Sequence, residues 1–246
     1  MTGGWTGDLL LGGIVLLGAS VQRLAGMGFA LVAAPALVLL LGPSQGVLLS
    51  NAASGAISVV GLLDGWRRVR LRAMVPLVAA AACTVPAGAW VAARLPQQVL
   101  LAGMGALVTA AVLLVIFGTR VPALRGSGGA VAAGAASGFM NSSAGVGGPA
   151  ISLYAVNADW TVREFVPNAQ FYGVAVNALS LLVKGVPRLT GPAWLLVTAA
   201  LAGGAVAGRV LGDHIPERGA RRIVLLLALA GGLTTLAKGL WELTVT

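Results

Sequence analysis

The sequence predicts an all-α polytopic membrane protein, and three observations carry that class. Of the 246 residues, 58% are hydrophobic and only 9% are charged, against roughly 25% charged residues in ordinary globular domains. Basic residues gather in short segments between apolar runs, and a glycine-rich interruption of the apolar pattern occurs twice. At about 20 residues per crossing helix, the chain has room for about eight to ten membrane segments and no separate soluble domain.

Taken in order, the N-terminal "MTGGWTGDLLLGGIVLLG" lacks the basic region that precedes a cleaved signal peptide's apolar core, so it is expected to stay as the first membrane segment. Residues 8–41 form an apolar arm, a glycine-rich break and a second arm of only about a dozen residues, short for a span. Such a segment reads as a broken helix or a re-entrant hairpin. Full crossings follow at 44–63, 74–93 and 98–117. Between the first two, "DGWRRVRLRA" carries Arg67, Arg68, Arg70 and Arg72, and the bias of basic loops toward the cytoplasm places it inside.

The stretch "GTRVPALRGSGG", with Arg120 and Arg125, reads as a cytoplasmic linker. The expected organisation is therefore a first membrane repeat at 1–118, a linker at 119–129 and a second membrane repeat at 130–246. Residues 130–157 again form an apolar arm, a break and a short arm, with crossings expected at 167–184, 192–212 and 220–240. Free backbone amides inside lipid are tolerated only where protein or a water-filled cavity meets them, so both breaks are expected to point inward.

The breaks match each other. "AGMGFALVAAPAL" begins at Ala25 and "AGVGGPAISLYAV" at Ala144, 119 residues later, with Gly26 opposite Gly145 and Gly28 opposite Gly147. Downstream, "LLSNAASG" around Asn51 answers "FVPNAQFYG" around Asn168 at an offset of 117, and Gly88 and Pro96 answer Gly204 and Pro216. A nearly constant offset through four landmarks indicates an internal duplication. In the first copy the Arg-rich loop follows the first full span, whereas in the second copy the heavier loop, with Arg218, Arg221 and Arg222, lies one position later. Inverted copies should differ in that way, because positive loops stay inside while the repeat turns over. Three full crossings per copy fit inversion and put both termini outside.

These twin motifs, "GMGFALVAAPAL" and "GVGGPAISL", each followed by an Asn-containing span, resemble the TauE/SafE sulfite exporter family, also called TSUP. The resemblance runs over nearly the whole chain. It implies transport of sulfite, sulfonates, sulfoacetate or a related small sulfur-containing or organic anion across the bacterial inner membrane.

The residues lead to a compatible mechanism on their own. A helix that restarts inside the membrane presents free N–H groups and the positive end of its dipole at the break. The half-helices after Gly26-Met27-Gly28 and Gly145-Val146-Gly147-Gly148 are therefore expected to cradle an oxyanion, with Pro149 suited to a first helical turn. Around them Gln22, Ser50, Asn51, Asn141, Ser142, Ser143, Asn168, Gln170, Tyr172 and Asn177 are candidate neutral donors. Arg23, just before the first break, is either an anion-attracting charge at a cavity mouth or a residue that snorkels or pairs locally.

The partners expected are this small anion and the lipid bilayer. Basic residues spread among loops do not form the single face a nucleic acid needs. One histidine, one cysteine and loop carboxylates make no Ser-His-Asp set, HExxH helix or metal cluster, so neither an enzyme nor a metal or other cofactor is expected. His214 is read as a loop residue, and Cys83 as a small packing residue. A passive anion channel of the same architecture and a carrier for a small carboxylate remain the alternative readings.

Overall fold

Gly26 and Gly145 each end a helix in the left-handed backbone conformation, at φ 75° and 74°, a region glycine enters without the Cβ penalty of other residues. In the computed structural model these positions separate α1 (Trp5–Ala25) from α2 (Phe29–Leu41) and α6 (Gly126–Ala144) from α7 (Gly148–Asn157). The structure describes residues 4–117, 125–212 and 217–245, without the side chains of Val115, Glu217, Arg218 and residues 220–224. The expected linker at 119–129 is described only from Arg125 onward, and His214 lies outside the described residues.

The remaining helices are α3 (Pro43–Leu63), α4 (Leu71–Arg94), α5 (Gln97–Phe117), α8 (Val162–Lys184), α9 (Gly191–Gly212) and α10 (Glu217–Val245). Local chemistry sets several of these ends. Pro43 starts α3 at a position where its missing N–H costs nothing. Thr161 and Glu164 close a reciprocal capping box at the start of α8.

Among the described residues, six helices are long and apolar enough to cross a membrane: Trp5–Ala25, Pro43–Leu63, Leu71–Arg94, Gln97–Leu114, Val162–Lys184 and Gly191–Gly212. Five of them coincide with expected crossings. The sixth, α1, is the first arm of the broken segment and is itself of spanning length. The crossing expected at 220–240 falls inside α10, which is not among the six. Leu9, Leu10, Leu195 and Val206 are more than half exposed on the outside of the bundle, which suits a hydrocarbon solvent and not water. The chain is a multi-pass helical membrane protein. Cys83, expected to pack, is instead exposed on α4.

Close packing relies on small residues, as between helices in lipid. The α1 helix packs on α9, where Gly204 and Gly208 come against the carbonyls of Leu16 and Ser20; α4 packs on α6, where Gly134 and Gly138 come against the carbonyls of Leu77 and Ala81. The α3 and α8 helices pair with each other, as do α5 and α10. Both pairs run antiparallel: Gly65 faces Pro167 and Gly55 faces Asn177 in one, and Gly105 faces Leu236 while Gly239 faces Ala102 in the other.

Candidate functional site

The α3–α8 seam is polar and almost closed. Asn51, Ser54, Ser58, Gln170, Asn177 and Ser180 are all buried along it. Burying such groups is expensive unless they are hydrogen-bonded, and most of them are. Gln22, in the last turn of α1, donates from Nε2 to Ser58 Oγ at 2.8 Å and to Gln170 Oε1 at 3.2 Å, and Gln170 Nε2 donates to the Gly26 carbonyl at 2.7 Å. Asn141, in the last turn of α6, donates from Nδ2 to Asn177 Oδ1 at 3.1 Å and to Ser180 Oγ at 3.0 Å. Asn51 Nδ2 donates to the Asn141 carbonyl at 3.4 Å.

A cavity of about 50 Å³ sits between this seam and the two breaks. By the volume a water needs, it has room for about three waters or one small oxyanion. Its lining includes Gly26, Met27 and Gly28 from the first break and Val146, Gly147 and Gly148 from the second, with Gln22, Ser54, Ser58, Asn141, Gln170, Tyr172 and Asn177. The Tyr172 hydroxyl is buried near the Ser137 hydroxyl but makes no hydrogen bond of good geometry.

The two half-helices meet the cavity with their N-terminal ends. Neither α2 nor α7 has a side-chain cap, so first-turn amides that a cap would satisfy stay available to a ligand. The opposite dipole ends, the C-termini of α1 and α6, are covered by the protein itself. Gln170 occupies the Gly26 carbonyl, and Lys184 Nζ donates to the Ser142 carbonyl at 2.7 Å. Arg23 lies in the last turn of α1, where a cation offsets the negative end of the dipole.

The structure gathers Gln22, Gly26, Gly28, Gly147, Gly148, Gln170 and Tyr172 of the expected site residues around the cavity, together with Asn141 and Asn177. It places the others elsewhere. Asn168 Oδ1 accepts from the Arg70 backbone N–H and its Nδ2 donates to the Glu164 carbonyl, which fixes the loop before α4 against the start of α8. The Ser142 and Ser143 hydroxyls donate back to carbonyls of their own helix, Gly138 and Phe139. Gly145 caps α6 just outside the lining, and Asn51 lies behind it with Oδ1 unpartnered. Arg23 pairs with Asp64 at the Arg-rich end of α3, the local-pairing alternative for that residue. That guanidinium holds the Asp64 carboxyl below its ordinary range.

Sequence reasoning missed Ser54, Ser58 and Met27. Ser54 and Ser58 fall three and seven residues after Asn51, the same helical face, and that spacing was the available signal.

Residues 10–235 match the profile of the family described as Sulfite exporter TauE/SafE. The chain belongs to that family. It is thus a membrane transporter of the sulfite exporter type, and a small anionic substrate and embedding in a bilayer follow from the membership. No curated protein and no solved structure matches the chain.

Proposed function

We propose that the protein is a secondary transporter that carries a small sulfur-containing anion, such as sulfite, a sulfonate or sulfoacetate, across the bacterial inner membrane. The observation that carries this reading is that both breaks open into one cavity with uncapped helix N-termini facing it. The anion is held there by backbone amides of α2 and α7 and by the hydroxyls of Ser54, Ser58 and Tyr172. The Gln22 and Asn141 amides hold the frame, since both N–H groups of each are already committed to neighbouring side chains.

The architecture in this reading is two inverted copies, residues 1–118 and 130–246, joined by a cytoplasmic linker, with both termini outside. Several features support it. An offset of 119 maps Gln22 onto Asn141, Ser58 onto Asn177 and Asn51 onto Gln170, so the Gln22–Ser58 hydrogen bond at the first break corresponds to the Asn141–Asn177 bond at the second. The same exchange turns the α1–α9 contact into the α6–α4 contact. Each helix that pairs with its own counterpart, α3 with α8 and α5 with α10, does so antiparallel; copies related by an axis along the membrane normal would pair parallel. With the α3–α4 loop inside, the copies expose the central cavity alternately to the two sides.

Flux into proteoliposomes of purified protein tests the function, with sulfite, thiosulfate, sulfoacetate and small carboxylates offered separately under defined pH and voltage. Saturable uptake of a sulfur oxyanion that accumulates against its gradient under an imposed ion gradient is the expected result. Downhill flux alone would assign a channel, and uptake confined to carboxylates would overturn the substrate class.

A further inference from the structure

The charge the cavity can hold follows from what surrounds it. Among the described residues its lining contains no Lys, Arg, His, Asp or Glu, and Tyr172 is the one titratable side chain. The described charged side chains of the neighbouring helices lie outside that lining, and several are visibly engaged elsewhere. Arg23 of α1 is paired with Asp64 after α3, and Glu164 of α8 with Arg70 before α4. Lys184 of α8 is turned to the Ser142 carbonyl. Arg163 lies in the first turn of α8 at its exposed end, Lys238 of α10 pairs with Glu242, and α2, α6 and α7 carry no charge at all.

The positive potential therefore comes from two helix N-termini, each equivalent to roughly half an elementary charge. Together they match about one negative charge. A doubly charged ion would leave one charge uncompensated in a buried, water-poor site, where an unpaired charge is very costly. The polar groups fit the same charge state. Backbone amides only donate, but the hydroxyls of Ser54, Ser58 and Tyr172 both donate and accept, so an oxyanion that retains one proton finds an acceptor for its own O–H.

We propose that the site accepts singly charged oxyanions and rejects doubly charged ones, so that sulfite is carried as hydrogen sulfite. This rests on the cavity being the anion site. The proton then crosses on the substrate itself, and a pH gradient drives transport without a carboxylate relay in the protein.

The test uses the full chain in proteoliposomes, with sulfite uptake measured at pH values spanning the second ionisation of sulfite. Methanesulfonate, a permanent monoanion, and sulfate, a dianion at these pH values, serve as competitors, and protein-free liposomes provide the background. Above that ionisation the apparent KM in total sulfite is expected to rise about tenfold per pH unit. Methanesulfonate is expected to compete with a pH-independent inhibition constant, and sulfate to fail even in large excess. Saturable sulfite uptake whose KM is flat or falls as the dianion takes over, or competition by sulfate equal to that by methanesulfonate, would overturn the charge rule while leaving the anion site standing. Absence of uptake and competition for every anion, with folded protein in the vesicles, would remove the anion site and the charge rule together.

Discussion

The Ser152 hydroxyl of α7 donates to the Met27 thioether at 2.9 Å, so the first break touches the second half-helix one turn inside it. Met27 lines the cavity and Ser152 holds it from the other break's half-helix, so changes at one break are felt at the other.

Gly148 gives the cleanest probe of that volume. A Cβ there meets only Met27 Cε, at 3.1 Å, and a methionine end can move aside. Gly148→Ala is expected to keep its melting temperature within a few degrees while the KM for sulfite rises severalfold. Gly147→Ala differs, because its Cβ would lie 2.6 Å from Ser137 Oγ and 2.8 Å from the Ser137 carbonyl. Overpacking of this kind costs about 1–3 kcal/mol, which thermal unfolding in detergent would register.

Tyr172→Phe separates stability from binding. The native hydroxyl is buried without a hydrogen bond of good geometry, and a wholly unsatisfied group costs about 1–3 kcal/mol. The variant is expected to be at least as stable as the wild type in the absence of substrate. Its affinity for the anion is expected to fall about tenfold, as for loss of one hydrogen bond to a charged group. Calorimetric titration and thermal unfolding of the same preparation check both.

Asp64 gives a pH signature. Its carboxyl is depressed chiefly by its hydrogen bond with Arg23, so the pair contributes stability above the unfolded value of about 3.9 and loses it as pH falls through the lower folded value. Asp64 is 57% exposed, and screening limits the effect to about 1 kcal/mol. Melting temperature should therefore not respond to this pair from neutrality down to the carboxylate range. Asp64→Asn should remove its part of the decline below that range.

The α5–α10 seam is expected to be intolerant. A Cβ on Gly105 would lie 2.3 Å from the Leu236 nitrogen, and one on Gly239 the same distance from the Ala102 nitrogen. Gly105→Leu and Gly239→Leu are expected to abolish the monodisperse peak in size-exclusion chromatography, whereas Gly103→Ala, in open space, leaves it unchanged.

The long crossings and both breaks were legible in the sequence because each is a local property, an apolar run of spanning length or a Gly-x-Gly that interrupts one. Which amides line the cavity was not. Asn168 matched Asn51 by residue type, but position along the helix decides what a side chain reaches. Asn168 lies in the second turn of α8 and fixes the loop at Arg70, while Gln170, two residues further, takes the place beside the break. Ser142 and Ser143 carried an equal ambiguity, since a helical hydroxyl can always bond back to its own turn. That Lys184 reaches the C-terminal turn of α6 and that Arg23 pairs with Asp64 depend on packing between segments about 40 residues apart, which no local pattern reveals.

The central claim is that one anion binds between the two breaks. It is tested most directly by a crystal structure of the Cys83→Ser variant soaked in selenite at a pH where the monoanion dominates, with selenium located by anomalous scattering. The expected result is a peak in the cavity within hydrogen-bonding reach of the first-turn amides of α2 and α7. A peak only at the Arg-rich loop after α3, with the cavity empty, would contradict it.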